Sequence, residues 1–191
     1  MSNLIKVVIA ILLVVYPILV YYGLNNDFSG EQLGIILLVL FTIRSFFTRL
    51  KTNRDKVQQI FPIVMVTGLV VLTWLFNSPE YLLWYPVGLN ILFLLLFGSS
   101  VIYPPTIIET IASKVRKDMP PEVVVYTRKV TIAWCIFFAF NTVVSSWTVL
   151  SGSIEYWTLF NGLISYFIAL AIVGIEYAIR KLIIHRKLAQ K

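Results

Sequence analysis

The sequence predicts an all-α fold, a polytopic bundle of six transmembrane helices with one amphipathic helix lying on the cytoplasmic surface between the fourth and fifth spans. Three observations predict it. Hydrophobic residues make up 59% of the 191 and charged residues only 13%, against roughly 45–50% and about 25% in soluble domains. The apolar residues gather in runs of roughly 16–23, each long enough to cross a hydrocarbon core as a helix and unlike the alternation of a β-barrel strand. The cations fall only in alternate connections between those runs.

Taken in order, the first span is placed at about 4–22, kinked by Pro17 and closed by the Gly23-to-Asn26 turn signal. Only Lys6 precedes it and no small-residue cleavage site follows, so it is expected to be retained rather than removed as a signal peptide. The second span, about 32–47, leads into the polar stretch RLKTNRDK, which reads as a short cytoplasmic loop. The third runs over about 60–76 with Pro62 in its first turn, and FNSPE then forms a tight connection. The fourth covers about 82–102, with Trp84, Tyr85 and Pro86 near its start. The fifth runs over about 129–150, SGS marks a turn, and the sixth runs over about 157–182 before a basic tail.

The sixteen cations sort by connection. Lys6 is N-terminal. Arg44, Arg49, Lys51, Arg54 and Lys56 lie at the second-to-third connection, Lys114, Arg116, Lys117, Arg128 and Lys129 at the fourth-to-fifth, and Arg180, Lys181, Arg186, Lys187 and Lys191 at the C-terminal end. The remaining three connections carry only Asp27, Glu31, Glu80 and Glu155. Because Lys and Arg accumulate on the cytoplasmic side, this pattern places both termini in the cytoplasm and requires an even number of spans. It also turns the net charge of +7 away from nucleic acid and toward the membrane surface.

The stretch from Val101 to Cys135 is the one long polar and basic interval. Within it, Thr106 and Glu109 have the spacing of a capping box, in which hydroxyl and carboxylate each take up an orphan backbone N–H at a helix start. From there Ile107, Ile108, Ile111 and Val115 recur at helical spacing, with Lys114, Arg116 and Lys117 toward the other side, which predicts a helix over about 106–117 in the headgroup layer. The pairs Pro104-Pro105 and Pro120-Pro121 delimit it. The cations Arg49, Lys51, Arg54, Lys56, Lys114, Arg116, Lys117, Arg128 and Lys129 form a candidate surface for anionic lipid headgroups or for a partner protein.

Polar side chains inside the spans are few. Asn90, Asn141 and Asn161 are candidates for interhelical hydrogen bonds or for a substrate path, and Glu176 with Arg180 one turn on is a candidate ion pair near the interface or, alternatively, a proton-relay carboxylate. His185 is the single histidine and Cys135 the single cysteine, so no multi-ligand metal site can be assembled from them. No nucleophile elbow, phosphate-binding loop or dinucleotide fingerprint occurs. No catalytic group, metal ion or cofactor is predicted.

Two resemblances rest on these residues. The second half, with MPPE at 119–122, VTIAWCIFFAFN at 130–141 and EYWTLFNGL at 155–163, resembles bacterial inner-membrane proteins of the intracellular septation protein A type, over about 74–170. Thr131 stands where that family has Asn, and Pro104-Pro105 where it has Lys-Pro. YPPTIIE at 103–109 followed by YTR-x-VT-x-WC-x-FF-x-x-N resembles more closely a bacterial family of small six-span inner-membrane proteins, often encoded beside aryl-polyene or fatty-acid-like synthesis genes. The resemblance implies an accessory role in making or placing an acyl product in the envelope, and it carries over no catalytic residue. The expected function is therefore a non-enzymatic inner-membrane scaffold that docks partners through the 104–129 segment. The alternative is a lipid or polyketide carrier working through a groove between the fourth, fifth and sixth spans.

Overall fold

A computed structural model describes residues 53–115 and 119–189, and in the N-terminal part 20–23, 32, 34–36, 38, 39 and 42; at 53–59, 79, 115 and 182–189 it describes the main chain alone. The described residues form helices and turns, with no strand among them. Their order is α1 (Asn53–Phe76), a 3-10 turn (Pro79–Trp84), α2 (Tyr85–Ile102), α3 (Ile107–Val115), α4 (Pro121–Leu150), α5 (Ile154–Leu159), a π turn (Phe160–Ile164) and α6 (Ser165–Ala189). Three stretches, Glu80–Ile102, Pro121–Leu150 and Ile154–Lys181, are helical, apolar and long enough to cross a membrane. The apolar part of α1, Ile60–Phe76, is shorter. The first and second expected spans fall largely outside the described residues.

Several boundaries differ from the sequence reading, each for a local reason. The fifth expected span begins at Pro121 rather than 129, because proline fits the first helical position and Glu122 favours the first turn, so the helix forms before the apolar run begins. At 30 residues α4 is about 45 Å long, against about 30 Å of hydrocarbon. The last helix likewise continues to Ala189 instead of ending near 182. The apolar run Ile60–Phe76 coincides with the third expected span, but its helix already starts at Asn53, which places Arg54 and Lys56 on the first turns of α1 rather than in a loop. The FNSPE connection is more elaborate than a tight turn. Asn77 takes a positive φ of 50°, a conformation asparagine tolerates, and the chain then winds through the 3-10 turn before α2 starts at Tyr85.

α2 and α4 form the most extensive helix pair, and they run antiparallel. Their ring contacts set the register: Phe93 lies 5.3 Å from Phe138, and Phe97 lies 5.2 Å from Phe138 and 6.4 Å from Trp134 between ring centroids. The buried face of α4 is polar but thin, carrying Thr127, Thr131, Asn141, Ser145 and Thr148 alongside Phe137 and Phe138. The threonine hydroxyls donate to their own helix, Thr131 to the Thr127 carbonyl at 2.8 Å and Thr127 to Val124 at 2.9 Å. They need nothing from a neighbour, and their small size lets the backbones approach. Gly88 serves the same end on α2, since a Cβ there would collide with the Met65 sulfur of α1.

The core at one end of the bundle gathers around Trp157, which is wholly buried with Val20, Val66, Leu83 and Tyr85. Its indole N–H donates to the Leu83 carbonyl at 2.9 Å, joining the last helix to the 3-10 turn. The α4–α5 turn beside it is closed by Gly152 at φ 70° and by Ser153, whose hydroxyl oxygen accepts the Tyr156 N–H at 3.2 Å.

Replacing Trp157 by Phe keeps a ring but leaves the Leu83 carbonyl without its indole donor. Unfolding in detergent, followed by heat or denaturant, should show a loss of about 1–3 kcal/mol or more. Trp147→Phe, at an exposed position, should change little.

Candidate functional site

The antiparallel order of α1, α2, α4 and α6 brings the first turns of α1, the α2–α3 elbow, the first turns of α4 and the last turns of α6 to one end of the bundle. Every described cation lies there. Arg54 and Lys56 are on the first turns of α1, Lys114 on the last turn of α3, Arg128 and Lys129 on α4, and Arg180, Lys181, Arg186 and Lys187 on α6. Lys114, Arg128, Lys129, Arg180 and Lys181 are exposed. Glu80 and Glu155 sit at the opposite end. Arg49, Lys51, Arg116 and Lys117 lie outside the described residues.

The expected capping box forms at the start of α3. The Thr106 N–H donates to Glu109 Oε2 at 3.2 Å, and the Glu109 N–H donates to the Thr106 hydroxyl at 3.2 Å. A further tie comes from α2, where buried Ser100 Oγ accepts the Ile107 N–H at 3.1 Å. So α3 is fixed at both its cap and its flank, and it packs against α4. The expected apolar face is only partly turned toward the bundle. Ile107 and Ile108 are half-buried, Ile111 is 54% exposed, and the Val115 side chain is outside the description. The reason is length: a helix of nine residues can rest its first turn on α2 and α4, but its later turns pass beyond them.

Glu176 and Arg180 stand 3.8 Å apart between carboxylate and guanidinium, one turn along α6. The sequence reading missed a third member. The Tyr126 hydroxyl donates across from α4 to the Glu176 carbonyl at 3.2 Å and lies 3.4 Å from its carboxylate. Arg180 also sits over the Tyr177 ring at 5.7 Å. The expected pair is thus an interhelical clamp, and the available sequence signal was only a tyrosine near the start of the fifth span.

The three asparagines behave differently from one another. Asn161 meets the expectation of interhelical bonding: its Oδ1 accepts the Ser145 hydroxyl of α4 at 2.7 Å. Its Nδ2 donates to the Trp157 carbonyl at 2.9 Å, inside the π turn where the regular ladder of main-chain bonds is disturbed. Asn90 does not reach a neighbouring helix. Its Nδ2 donates to the Pro86 carbonyl of its own helix at 2.8 Å, a carbonyl placed within reach one turn back. Asn141 is 1% exposed, and neither its Nδ2 nor its Oδ1 has a hydrogen-bond partner among the described residues. The α2–α4 ring register puts Asn90 at the level of Asn141. Aromatic rings interlock along α4, with Trp134 5.4 Å from Phe137 and 5.7 Å from Phe138, while Trp147 stacks on Tyr156 at 6.1 Å.

Chemically, this arrangement offers charge and hydrogen bonding at the basic end and one unengaged amide midway along α4. Compared with protein-family models, curated proteins and solved structures, the chain matches none.

Substitution at the two buried amides should move stability in opposite directions. Asn161→Leu abandons the Ser145 hydroxyl and should cost about 1–3 kcal/mol, whereas Asn141→Leu removes an amide that has no partner and should be neutral or stabilising. Unfolding of both variants in one detergent compares them. At the clamp, Arg180→Ala leaves the Glu176 carboxylate with Tyr126 alone, so membrane accumulation measured by immunoblot should fall further than for Glu176→Gln.

Proposed function

We propose that this chain is a non-enzymatic scaffold or accessory protein of the bacterial inner membrane, a six-span bundle with both termini in the cytoplasm, which docks an envelope or acyl-lipid biosynthesis assembly, such as one making an aryl polyene, at its basic end. The observation that carries the reading is the gathering of the described cations at the one end where α3 is held in place by its capping box and by Ser100. A short helix pinned in this way offers a fixed charged surface, and a fixed surface loses less entropy on binding than a flexible loop does. The bacterial setting and the acyl-product context come from the resemblance of YPPTIIE and the stretch that follows it. Placing the basic end in the cytoplasm follows the preference of Lys and Arg for that side.

The second reading, a lipid or polyketide carrier using a groove between α2, α4 and the last helix, is favoured by Asn141. A buried amide with both its groups unengaged is what a polar ligand group could meet there.

Reporter fusions and mild-detergent purification test both readings. Tags at the two termini and at residues 53 and 117 should report cytoplasm, and tags at 27, 79 and 153 the periplasm. A periplasmic signal at 117 would overturn the topology. A biosynthetic enzyme that co-purifies with the protein and is lost from Lys114→Gln/Arg128→Gln/Lys129→Gln supports the scaffold, while a stoichiometric acyl ligand lost from Asn141→Leu supports the carrier.

A further inference from the structure

The level of the membrane boundary at the basic end can be read from the opposite end. Exposed Trp74, Trp147 and Tyr156, with half-buried Trp84, mark an interfacial aromatic belt there. A hydrocarbon core of about 30 Å corresponds to about 20 residues of helix. Counting that far from Trp74 on α1 reaches Arg54, and from Trp84 through α2 it reaches the elbow at Tyr103 and Pro104. From Trp147 on α4 it reaches Thr127 beside Arg128 and Lys129, and from Tyr156 on the last helix it reaches Glu176, one turn before Arg180. Counted in this way, four separate paths bring cations or the elbow to about one level, where a membrane of that thickness would have its phosphates.

At that level the elbow exposes large side chains. Ile102 is 70% exposed and Tyr103 71%, and Ile111 projects from α3 just beyond. Lys114 lies one turn from Ile111 at the edge of the same face of α3. Lys114, Arg128 and Lys129 make no ion pair among the described residues. Glu109, five residues before Lys114, is turned onto the Thr106 N–H.

We propose that the α2–α3 elbow is a seat for an anionic glycerophospholipid of the inner leaflet. Acyl chains cover Ile102, Tyr103 and Ile111, and the headgroup phosphate is taken by Lys114, with Arg128 and Lys129 supplying further positive charge at the same depth. Charge complementarity selects a lipid over a peptide here, because the apolar patch lies at the depth of acyl chains and phosphates rather than in the aqueous space beyond them. The proposal rests on reading the basic end as the inner-membrane face. Such a lipid would also hold α3 at the surface from which the scaffold docks its partner.

The test uses the full chain in nanodiscs of phosphatidylcholine containing one quarter phosphatidylglycerol, with bound lipid counted by native mass spectrometry after release. Phosphatidylglycerol should be retained several-fold over its share in the disc. Lys114→Gln should lower that preference about fivefold, the factor expected for about 1 kcal/mol per surface cation. Arg128→Gln/Lys129→Gln should lower it further, and higher salt should lower all of them. Ile111→Asn, with every cation kept, should also reduce retention, which a diffuse electrostatic field would not do. Circular dichroism confirms that each variant is folded. Equal retention of the two lipids, or retention unchanged by both Lys114→Gln and Ile111→Asn, overturns the seat. So does displacement of the lipid's role by an acidic helical peptide that binds the same residues with no phosphatidylglycerol preference. Because a nanodisc exposes both leaflets, a lipid result is independent of the topology fusions, and each reading can fail without the other.

Discussion

The hydrogen bond from the Trp157 indole to the Leu83 carbonyl sets the position of the last helix, and much else follows from that position. Leu83 and Trp157 are buried, and a buried main-chain carbonyl has no water to turn to, so a donor aimed at it gives one placement a distinct advantage over its neighbours. With Trp157 seated, Asn161 comes opposite Ser145 of α4, and about four turns further on Glu176 comes beside Tyr126. The last helix is thereby tied to α4 at two heights. The π turn at Phe160–Ile164 lies between the anchor and the long run of α6, and Asn161's own side chain takes up the carbonyl of Trp157 there.

α4 shows how a membrane helix carries polar residues on a buried face. Thr127, Thr131 and Thr148 spend their hydroxyls on their own main chain, and Ser145 spends its on Asn161. What they contribute to packing is small volume, which brings α2 close enough for the Phe93, Phe97, Trp134 and Phe138 rings to interlock. Asn141 departs from this economy, since its amide is too large to fold back unnoticed and meets no partner. A buried group of that kind, kept without a partner among the described residues, is a natural position at which selection for a function other than stability would be visible.

At the basic end the physics changes from packing to charge. α4, at 30 residues, is longer than a hydrocarbon core requires, and long cationic side chains near such helix ends can reach phosphate or water at little cost. α3 completes that end. Its capping box removes two orphan N–H groups, and Ser100 supplies an acceptor from the adjoining helix. The result is a rigid charged platform, with Ile111 facing outward at its edge.

The sequence by itself determined the all-α character, the membrane character, the order of the helices across the described chain and the start of α3. These depend on composition, on hydropathy over a whole turn or span and on one capping spacing, all of which are local. It also marked Glu176 and Arg180 as neighbours, since residues four apart on a helix must be. Helix ends at 121 and 189 were less legible, because polar residues continue a helix as readily as they leave one. Only the tertiary structure decided which polar groups meet: that Tyr126 joins Glu176 across fifty residues, that Asn161 bonds to Ser145 while Asn90 turns to its own helix and Asn141 to nothing, and that Trp157 aims at Leu83. Those outcomes depend on the rotation and height of each helix against the next. A helix repeats its side chains every few residues, so several rotations bury a similar apolar area, and the choice among them falls to a few directional hydrogen bonds between residues far apart in the chain.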